Sequence, residues 1–442
     1  MTIRLSRALL AAAALIPAPT SAQLLPGGAG GVVGGVTRGV GDVTRPLLGG
    51  SEQATRQRSL VGGGVDRLSN AVSSIADAPA ALLDLRALRR STLIRQHRAE
   101  LDRDGAGNPV RRDRLVAIEP DAAGLAAAAR AGFRLIADQR NPELGLRLVT
   151  LAIPVRDNPR RALEELRRAA PSLDLDFDHI YEPAGGALAS TSAALAMGVA
   201  SYSAPGTRIA MIDGGVASHP SMARASIEQK GFAGPAAASG HGTAVASLLV
   251  GDHGAFRGAA RGSSLFVGDI YGGNPAAGSA STIIRALGWA AAKRPSVITM
   301  SLVGPANRGI ERAVSILRRR GIMIVAAVGN DGPAAPPQYP ASYDGVVAVT
   351  GVDARGRALI EAGRARHLDF AAPGAELAAA LPGKGYAVVR GTSFAAPLAA
   401  ARLAATKSLP ALAAEAQPGK GKVGRGIVCA TCRIEPRSVG AR

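Results

Sequence analysis

Arg208-Ile209-Ala210-Met211-Ile212-Asp213-Gly214-Gly215 carries four apolar residues without interruption into an aspartate and two glycines. A strand with one wet face alternates apolar and polar residues. An unbroken apolar run is buried on both faces, as in a parallel sheet covered by helices. The Asp-Gly-Gly that follows is turn chemistry. The pattern recurs at Leu265–Ile270, Val297–Leu302, Met323–Val328 and Val346–Val349. Between and after these runs, His241–Val250, Ser281–Lys293, Gly309–Arg320 and Ser393–Ala404 read as helices. Strands alternating with helices predict an α/β domain with a parallel sheet in three layers. In such sheets reactive groups gather beyond the carboxyl ends of the strands.

Four residues lie at such positions or at helix starts. Asp213 ends the first strand; alone it reads as a turn former. His241 sits in Gly240-His241-Gly242-Thr243, where flanking glycines let the backbone pack closely around an imidazole. Of the six histidines, His97 and His179 lie upstream, and His219, His253 and His367 lack such a glycine frame. Ser393 opens a helix within Gly391-Thr392-Ser393-Phe394-Ala395-Ala396-Pro397, after an expected strand Ala387–Arg390. A serine there is either a helix cap or a nucleophile near the positive helix end. Asn330 follows the strand Met323–Val328 in Gly329-Asn330-Asp331-Gly332-Pro333 and alone reads as a turn asparagine.

Taken together, Ile212-Asp213-Gly214-Gly215, Gly240-His241-Gly242-Thr243, Ala327-Val328-Gly329-Asn330 and Gly391-Thr392-Ser393-Phe394-Ala395-Ala396-Pro397 resemble the subtilisin-like (subtilase) serine peptidases. His241 follows Asp213 by 28 residues and Ser393 follows His241 by 152, and the Asp-His-Ser order is that of subtilisin. The resemblance covers roughly residues 188–408. It implies an Asp213–His241–Ser393 triad, with Ser393 the nucleophile, His241 the base and Asp213 the holder of the imidazole. It also implies an oxyanion hole formed by the Asn330 side chain and the Ser393 N–H.

Met300-Ser301-Leu302-Val303-Gly304 resembles the family strand that pairs with substrate backbone, so Ser301, Leu302, Val303 and Gly304 are expected substrate-binding residues. Ala327, Val328 and Gly329 resemble a wall of the first specificity pocket, suited to a small apolar residue before the cut. Phe370-Ala371-Ala372-Pro373-Gly374 fits a further family segment of structural role. Two departures stand out. Gly214 replaces the usual Ser or Thr after the catalytic Asp, which removes a hydrogen bond near the carboxylate. The other common His is absent from Thr243-Ala244-Val245. No cofactor is required for the chemistry. Structural calcium is usual in the family, and no acidic cluster marks a site for it.

Upstream, residues 111–187 read as a small α+β unit: strand Leu115–Ile118, helix Ala122–Ala131, strands Arg134–Ala137 and Leu146–Ile153, helix Pro159–Ala170, strand Leu173–Ile180. That β-α-β-β-α-β order is the ferredoxin-like split βαβ arrangement. By position it resembles the inhibitory propeptide that precedes many subtilases, which makes the chain's own propeptide an expected partner beside protein and peptide substrates. Self-cleavage is then expected between about Tyr181 and Leu188, and Glu182-Pro183-Ala184-Gly185-Gly186 reads as exposed and flexible.

Arg4, Arg7, the apolar run Ala8–Ile16 and Thr20-Ser21-Ala22 read as a signal peptide over residues 1–22, so the protein is expected to be secreted or periplasmic. A retained N-terminal anchor is the rival. No other run of about 20 apolar residues predicts a membrane span. Residues 23–110 combine a Gly-rich linker with a helical segment over 64–103, in which Val65, Leu68, Val72, Ile75, Leu82, Leu85 and Leu88 recur at helical spacing. Residues 409–442 read as a basic tail whose only cysteines, Cys429 and Cys432, are expected to form a small disulfide.

Fifty-two basic residues against 33 acidic ones give a formal charge of +19, and aromatics are only 3%. No motif interleaves the basic residues with aromatics, so nucleic acid is not an expected partner. Three other readings remain: an impaired subtilase fold with a binding or chaperone-like role, an acid-acting sedolisin relative, and a cationic surface binder. The first rests on Gly214, and the intact four-residue set argues against it. The second would use a Glu where Gly240-His241-Gly242-Thr243 stands, and the third rests on charge alone.

Overall fold

The computed structural model describes residues 79–154, 158–184, 202–383 and 385–441. The expected signal peptide, the Gly-rich segment and the first part of the expected helix over 64–103 lie outside them.

A seven-stranded parallel sheet forms the body. Across it run Phe370–Pro373, Val347–Val352, Met323–Ala327, Val297–Met300, Arg208–Asp213, Ser264–Asp269 and Ser226–Gly231. The reason lies in the opening stretch. Ile209 and Met211 face one core, with Val245 and Leu248 of helix Gly240–Val250 and Leu403 of helix Thr392–Thr406. Ala210 and Ile212 face the other, with Ile283 and Leu287 of helix Ala280–Ala292 and with Ile310 and Leu317 of helix Arg308–Arg319. Both faces are dry, so the strand needs apolar residues throughout. Each buried Leu or Ile contributes about 1.5–3 kcal/mol. This is the expected three-layer α/β architecture.

The upstream unit is a five-stranded antiparallel sheet with two helices. Asp174–His179 pairs with Pro109–Ile118, which pairs with Leu146–Ala152, which pairs with Arg134–Asn141. Leu101–Arg103 adds a short strand on the other side of Pro109–Arg111. That strand and the end of the helix at Gln96 correct the reading of helix through residue 103; the three-residue strand is too short to show a period of its own and is fixed by its hairpin pairing with Pro109–Arg111.

This sheet is also buried on both faces. Leu115 and Ala117 pack on its own helix Pro159–Ala169, through Ala162, Leu163 and Leu166. Val116, Ile118 and Leu148 join the core beneath helices Ala280–Ala292 and Arg308–Arg319. Two carboxylates complete the junction. Asp178 accepts from the Ser281 N–H and Oγ, both at 2.9 Å. Asp176 Oδ2 accepts from Arg308 N at 2.8 Å. Each carboxylate thus sits at the positive end of one of the two helices.

Residues 409–441 are not a loose tail. Val428 N donates to Ala371 O at 2.8 Å and Ala378 N to Ile434 O at 2.9 Å. Cys429 and Cys432 form the expected disulfide, with Cα atoms 5.1 Å apart, and both lie in the main core. The reading of residues 409–442 as a basic tail is thereby corrected. The segment's Gly- and Lys-rich composition concealed a few apolar residues, Val423, Ile427 and Ile434, that do the anchoring.

Candidate active site

The carboxyl ends of Arg208–Asp213, Val297–Met300 and Met323–Ala327 converge with the starts of two helices. Asp213 is the last residue of its strand and 1% exposed. Its Oδ1 lies 2.8 Å from His241 Nδ1 and accepts from Gly214 N at 2.7 Å. His241 is the second residue of helix Gly240–Val250, whose N-cap is Ser239. With Nδ1–H donating to the carboxylate, the lone pair of the imidazole is left on Nε2. That atom is buried and has no hydrogen-bond partner.

Ser393 lies at the start of helix Thr392–Thr406, fully buried. The His241 ring stands 5.7 Å from the ring of Phe394, the next residue. The Ser393 hydroxyl does not bond His241 here. It donates to the Ser301 carbonyl at 3.4 Å. Asn330 is held from the opposite side: its Oδ1 accepts from Thr392 N at 3.0 Å, and Gly329 N donates to Thr392 Oγ1 at 3.1 Å. These bonds aim the Asn330 amide Nδ2 into the cleft.

The cleft is occupied by the chain itself. Glu182–Pro183 pairs antiparallel with Leu302–Val303. Ala184 N donates to Ser301 O at 2.8 Å. The Ala184 carbonyl accepts a hydrogen bond from Asn330 Nδ2. Ala184 shares an apolar cluster with Ala327 and Phe394. Three residues earlier, Tyr181 is fully buried against Gly304. A Cβ on Gly304 would fall 2.5 Å from that ring. Tyr181 Oη donates to Pro305 O at 2.6 Å, and burial pushes its phenol pKa well above the usual value.

Ser301, Leu302, Val303, Gly304 and Ala327 therefore all stand against the segment 181–184 or in its cluster, while Val328 and Gly329 flank Asn330. The reading of Glu182-Pro183-Ala184 as exposed and flexible is corrected in part: Ala184 is 2% exposed and Glu182–Pro183 is paired as a strand, while Pro183 stays exposed. A Glu-Pro-Ala stretch has no strand pattern of its own and is extended only because a partner strand receives it. Gly185 and Gly186 lie outside the described residues.

The gap left by Gly214 is filled. A Cβ there would meet Ser239 Oγ at 2.4 Å. Asp213 Oδ2 is nonetheless buried without a hydrogen-bond partner. Among the described residues no group of three or more His, Cys, Asp or Glu side chains is placed to hold a metal ion. Among them, too, no helix is long and apolar enough to cross a membrane.

His241, half-buried, keeps an unpartnered Nε2 and stands against Phe394, the neighbour of Ser393, so the arrangement offers a base near the helix start that carries an alcohol. It also places a neutral donor on a peptide carbonyl. Residues 204–418 match the family described as Subtilase family. The chain is 32% identical over 218 residues to the major intracellular serine protease of Bacillus subtilis (strain 168), covering 46% of this chain and 68% of that protein. It is 32% identical over 208 residues to Subtilisin Savinase of Lederbergia lenta, covering 46% and 76%. In fold it is similar to fervidolysin from Fervidobacterium pennivorans, a keratinolytic enzyme related to subtilisin. That likeness has a TM-score of 0.62 at 17% identity, over 77% of this chain and 62% of the other.

Proposed function

The chain belongs to the subtilase family of serine endopeptidases, and from that premise we propose that it acts through Asp213, His241 and Ser393 and cuts itself between Ala184 and Gly185. The observation that carries the reading is the Ala184 carbonyl on Asn330 Nδ2, with residues 181–184 paired along Ser301–Gly304 as a substrate would be.

For attack, the Ser393 hydroxyl turns from the Ser301 carbonyl to His241 Nε2, which takes its proton. Oγ adds to the Ala184 carbonyl carbon. The negative charge that develops on the Ala184 oxygen is met by Asn330 Nδ2 and, once the tetrahedral carbon has formed, by the Ser393 N–H. Asp213 stabilises the imidazolium and keeps Nδ1 protonated. His241 then protonates the nitrogen of Gly185, the peptide bond breaks, and Ala184 remains as an ester on Ser393. Water, deprotonated by His241, releases it. The same steps act on protein substrates in trans. The bound segment supports a preference for a small residue before the cut and an aromatic one four residues before it. Export through the signal-like residues 1–22, with the α+β unit as propeptide, completes the reading.

The test is the intact mass and N-terminal sequence of the exported protein, wild type beside Ser393→Ala. The wild type is expected to give a leader ending at Ala184 and an enzyme beginning at Gly185, while the variant stays joined. Identical N-termini near Gln23 in both, with no hydrolysis of a denatured protein, overturn the proposal.

A further inference from the structure

The helix Pro79–Gln96 precedes the propeptide-like unit and contributes no strand to its sheet. It lies instead against the cleft. Arg86 Nε is 2.9 Å from Asp331 Oδ2, and Arg89 pairs with Asp331 Oδ1. Arg86 Nη2 reaches Gln338 Oε1 at 3.4 Å. Leu82 rests on Gly332, where a Cβ would fall 2.7 Å from Leu82 Cδ1. Asp331 and Gly332 directly follow Asn330, so the helix is fixed to the loop that carries the expected oxyanion donor.

The contact is enclosed around Arg86, while Arg89 is 43% exposed. The side chains of Arg86 and Asp331 are 12% and 8% exposed. Arg86 and Arg90 border the same pocket as Glu182, Ala184 and Asn330. Burial lowers the pKa of Arg86, and the charges of Asp331 and then Glu182 oppose the shift. Arg90 is half-buried, with Asn108 as its hydrogen-bond partner. That bond ties the helix to the start of the α+β unit.

The α+β unit docks through Asp176 and Asp178 on helices Ala280–Ala292 and Arg308–Arg319, not on the loop at 330–332. A leader held at two places on one body rebinds as an intramolecular event after either contact opens.

We propose that the helix Pro79–Gln96 is a second inhibitory element, which through Arg86, Arg89 and Asp331 keeps the cut leader seated over the cleft, so that activity lags behind self-cleavage. This rests on the self-cleavage reading above. The enzyme released is the same in sequence whatever the leader carries, so leader variants isolate the effect.

The experiment follows the full chain from the onset of processing. Intact mass gives the fraction cut, and hydrolysis of a short peptide in the same samples gives activity, for wild type, Arg86→Ala/Arg89→Ala and Leu82→Ala. In the wild type, activity is expected to trail the cut. In the double variant the cut proceeds at a similar rate and the lag shortens about tenfold; Leu82→Ala shortens it less. Equal lags in all three, or wild-type activity rising in step with the cut, overturn the proposal and leave self-cleavage standing. If the double variant misfolds, Leu82→Ala carries the comparison alone, a shorter lag supporting and an unchanged lag overturning. A wild type that is never cut overturns this proposal and the self-cleavage reading together.

Discussion

Ser301 Oγ donates a 2.8 Å hydrogen bond to the main-chain carbonyl of Ser393. That carbonyl needs an outside donor. Four residues on, inside the same helix, stands Pro397, which has no N–H to give. Ser301 thus anchors the residue whose hydroxyl is proposed to attack, while its own carbonyl receives Ala184 N. Ser301→Ala leaves a buried carbonyl unpaired, a loss of about 1–3 kcal/mol. We expect kcat to fall roughly tenfold with KM little changed, since the backbone contact to substrate survives. Steady-state kinetics check this; an unchanged kcat contradicts it.

Asn330 has two separable bonds. Its Oδ1 receives Thr392 N and its Nδ2 gives to Ala184 O. Asn330→Asp keeps the first and replaces the second with a negative oxygen. Loss of the matching donor in subtilisin lowers kcat ~10²–10³-fold. Asn330→Ala is expected to fall in that range, and Asn330→Asp lower still, in the same peptide assay. An aspartate variant more active than the alanine one would remove Asn330 from the oxyanion site.

The Tyr181 ring fills the space above Gly304. Gly304→Val therefore crowds an aromatic residue at that position. Self-cleavage of Gly304→Val should slow about tenfold or more, and adding Tyr181→Ala should recover part of the rate. A double-mutant cycle of cleavage rates measures the coupling; additive effects would separate the two residues.

The α+β unit carries an acid-sensitive joint. Asp104 Oδ1 accepts from the N–H groups of Ala106 and Asn108, both at 2.8 Å, and Oδ2 faces Asn108 Nδ2 at 2.7 Å and His179 Nε2 at 3.2 Å. Burial pushes this carboxyl up, but the bonds from His179 and Asn108 outweigh it and hold the pKa at about 2, against an ordinary 3.8. Because the folded value lies below the unfolded one, the stabilisation is present above pH 4 and is lost as pH falls toward 2. Across the same junction, Asp176 Oδ1 stands 3.9 Å and Asn307 Nδ2 3.3 Å from His179 Nδ1. In a Ser393→Ala background, the stability gap between Asp104 and Asp104→Asn proteins should close between pH 5 and pH 2 in denaturant titrations. A gap constant with pH would contradict this.

Gly214 is tied to Ser239 by space. Gly214→Ser brings a Cβ onto the Ser239 hydroxyl, and overpacking of this kind costs about 1–3 kcal/mol. Thermal denaturation should show a lowered Tm, with the family's usual residue proving worse in this chain than glycine. An unchanged or raised Tm would show that the site opens freely.

The central strands were legible because residues 209–212, 297–300 and 323–327 are apolar at every position except Thr299, the pattern of a sheet covered on both faces. The edge strand Ser226–Gly231 was not, since its residues Ser226, Glu228, Gln229 and Lys230 face solvent and its pairing with Ser264–Asp269 is made by backbone alone. The helix Pro79–Gln96 was legible as a helix. Its target was not, because Arg86 and Asp331 are 245 residues apart and charge carries no address.

The sequence by itself determined the covered parallel sheet, the order of Asp213, His241, Asn330 and Ser393, the α+β unit before them and the pairing of Cys429 with Cys432. Each of these rests on local patterning or on a short motif that holds its chemistry within a few residues. Only the tertiary structure decided that Ala184 lies on Asn330, that Ser301 supplies the donor Pro397 withholds, and that residues 409–441 and the arginine helix close on the body. Those contacts join segments far apart in the chain. They arise where one element leaves a polar group or an apolar face unsatisfied and folding brings the complement to it.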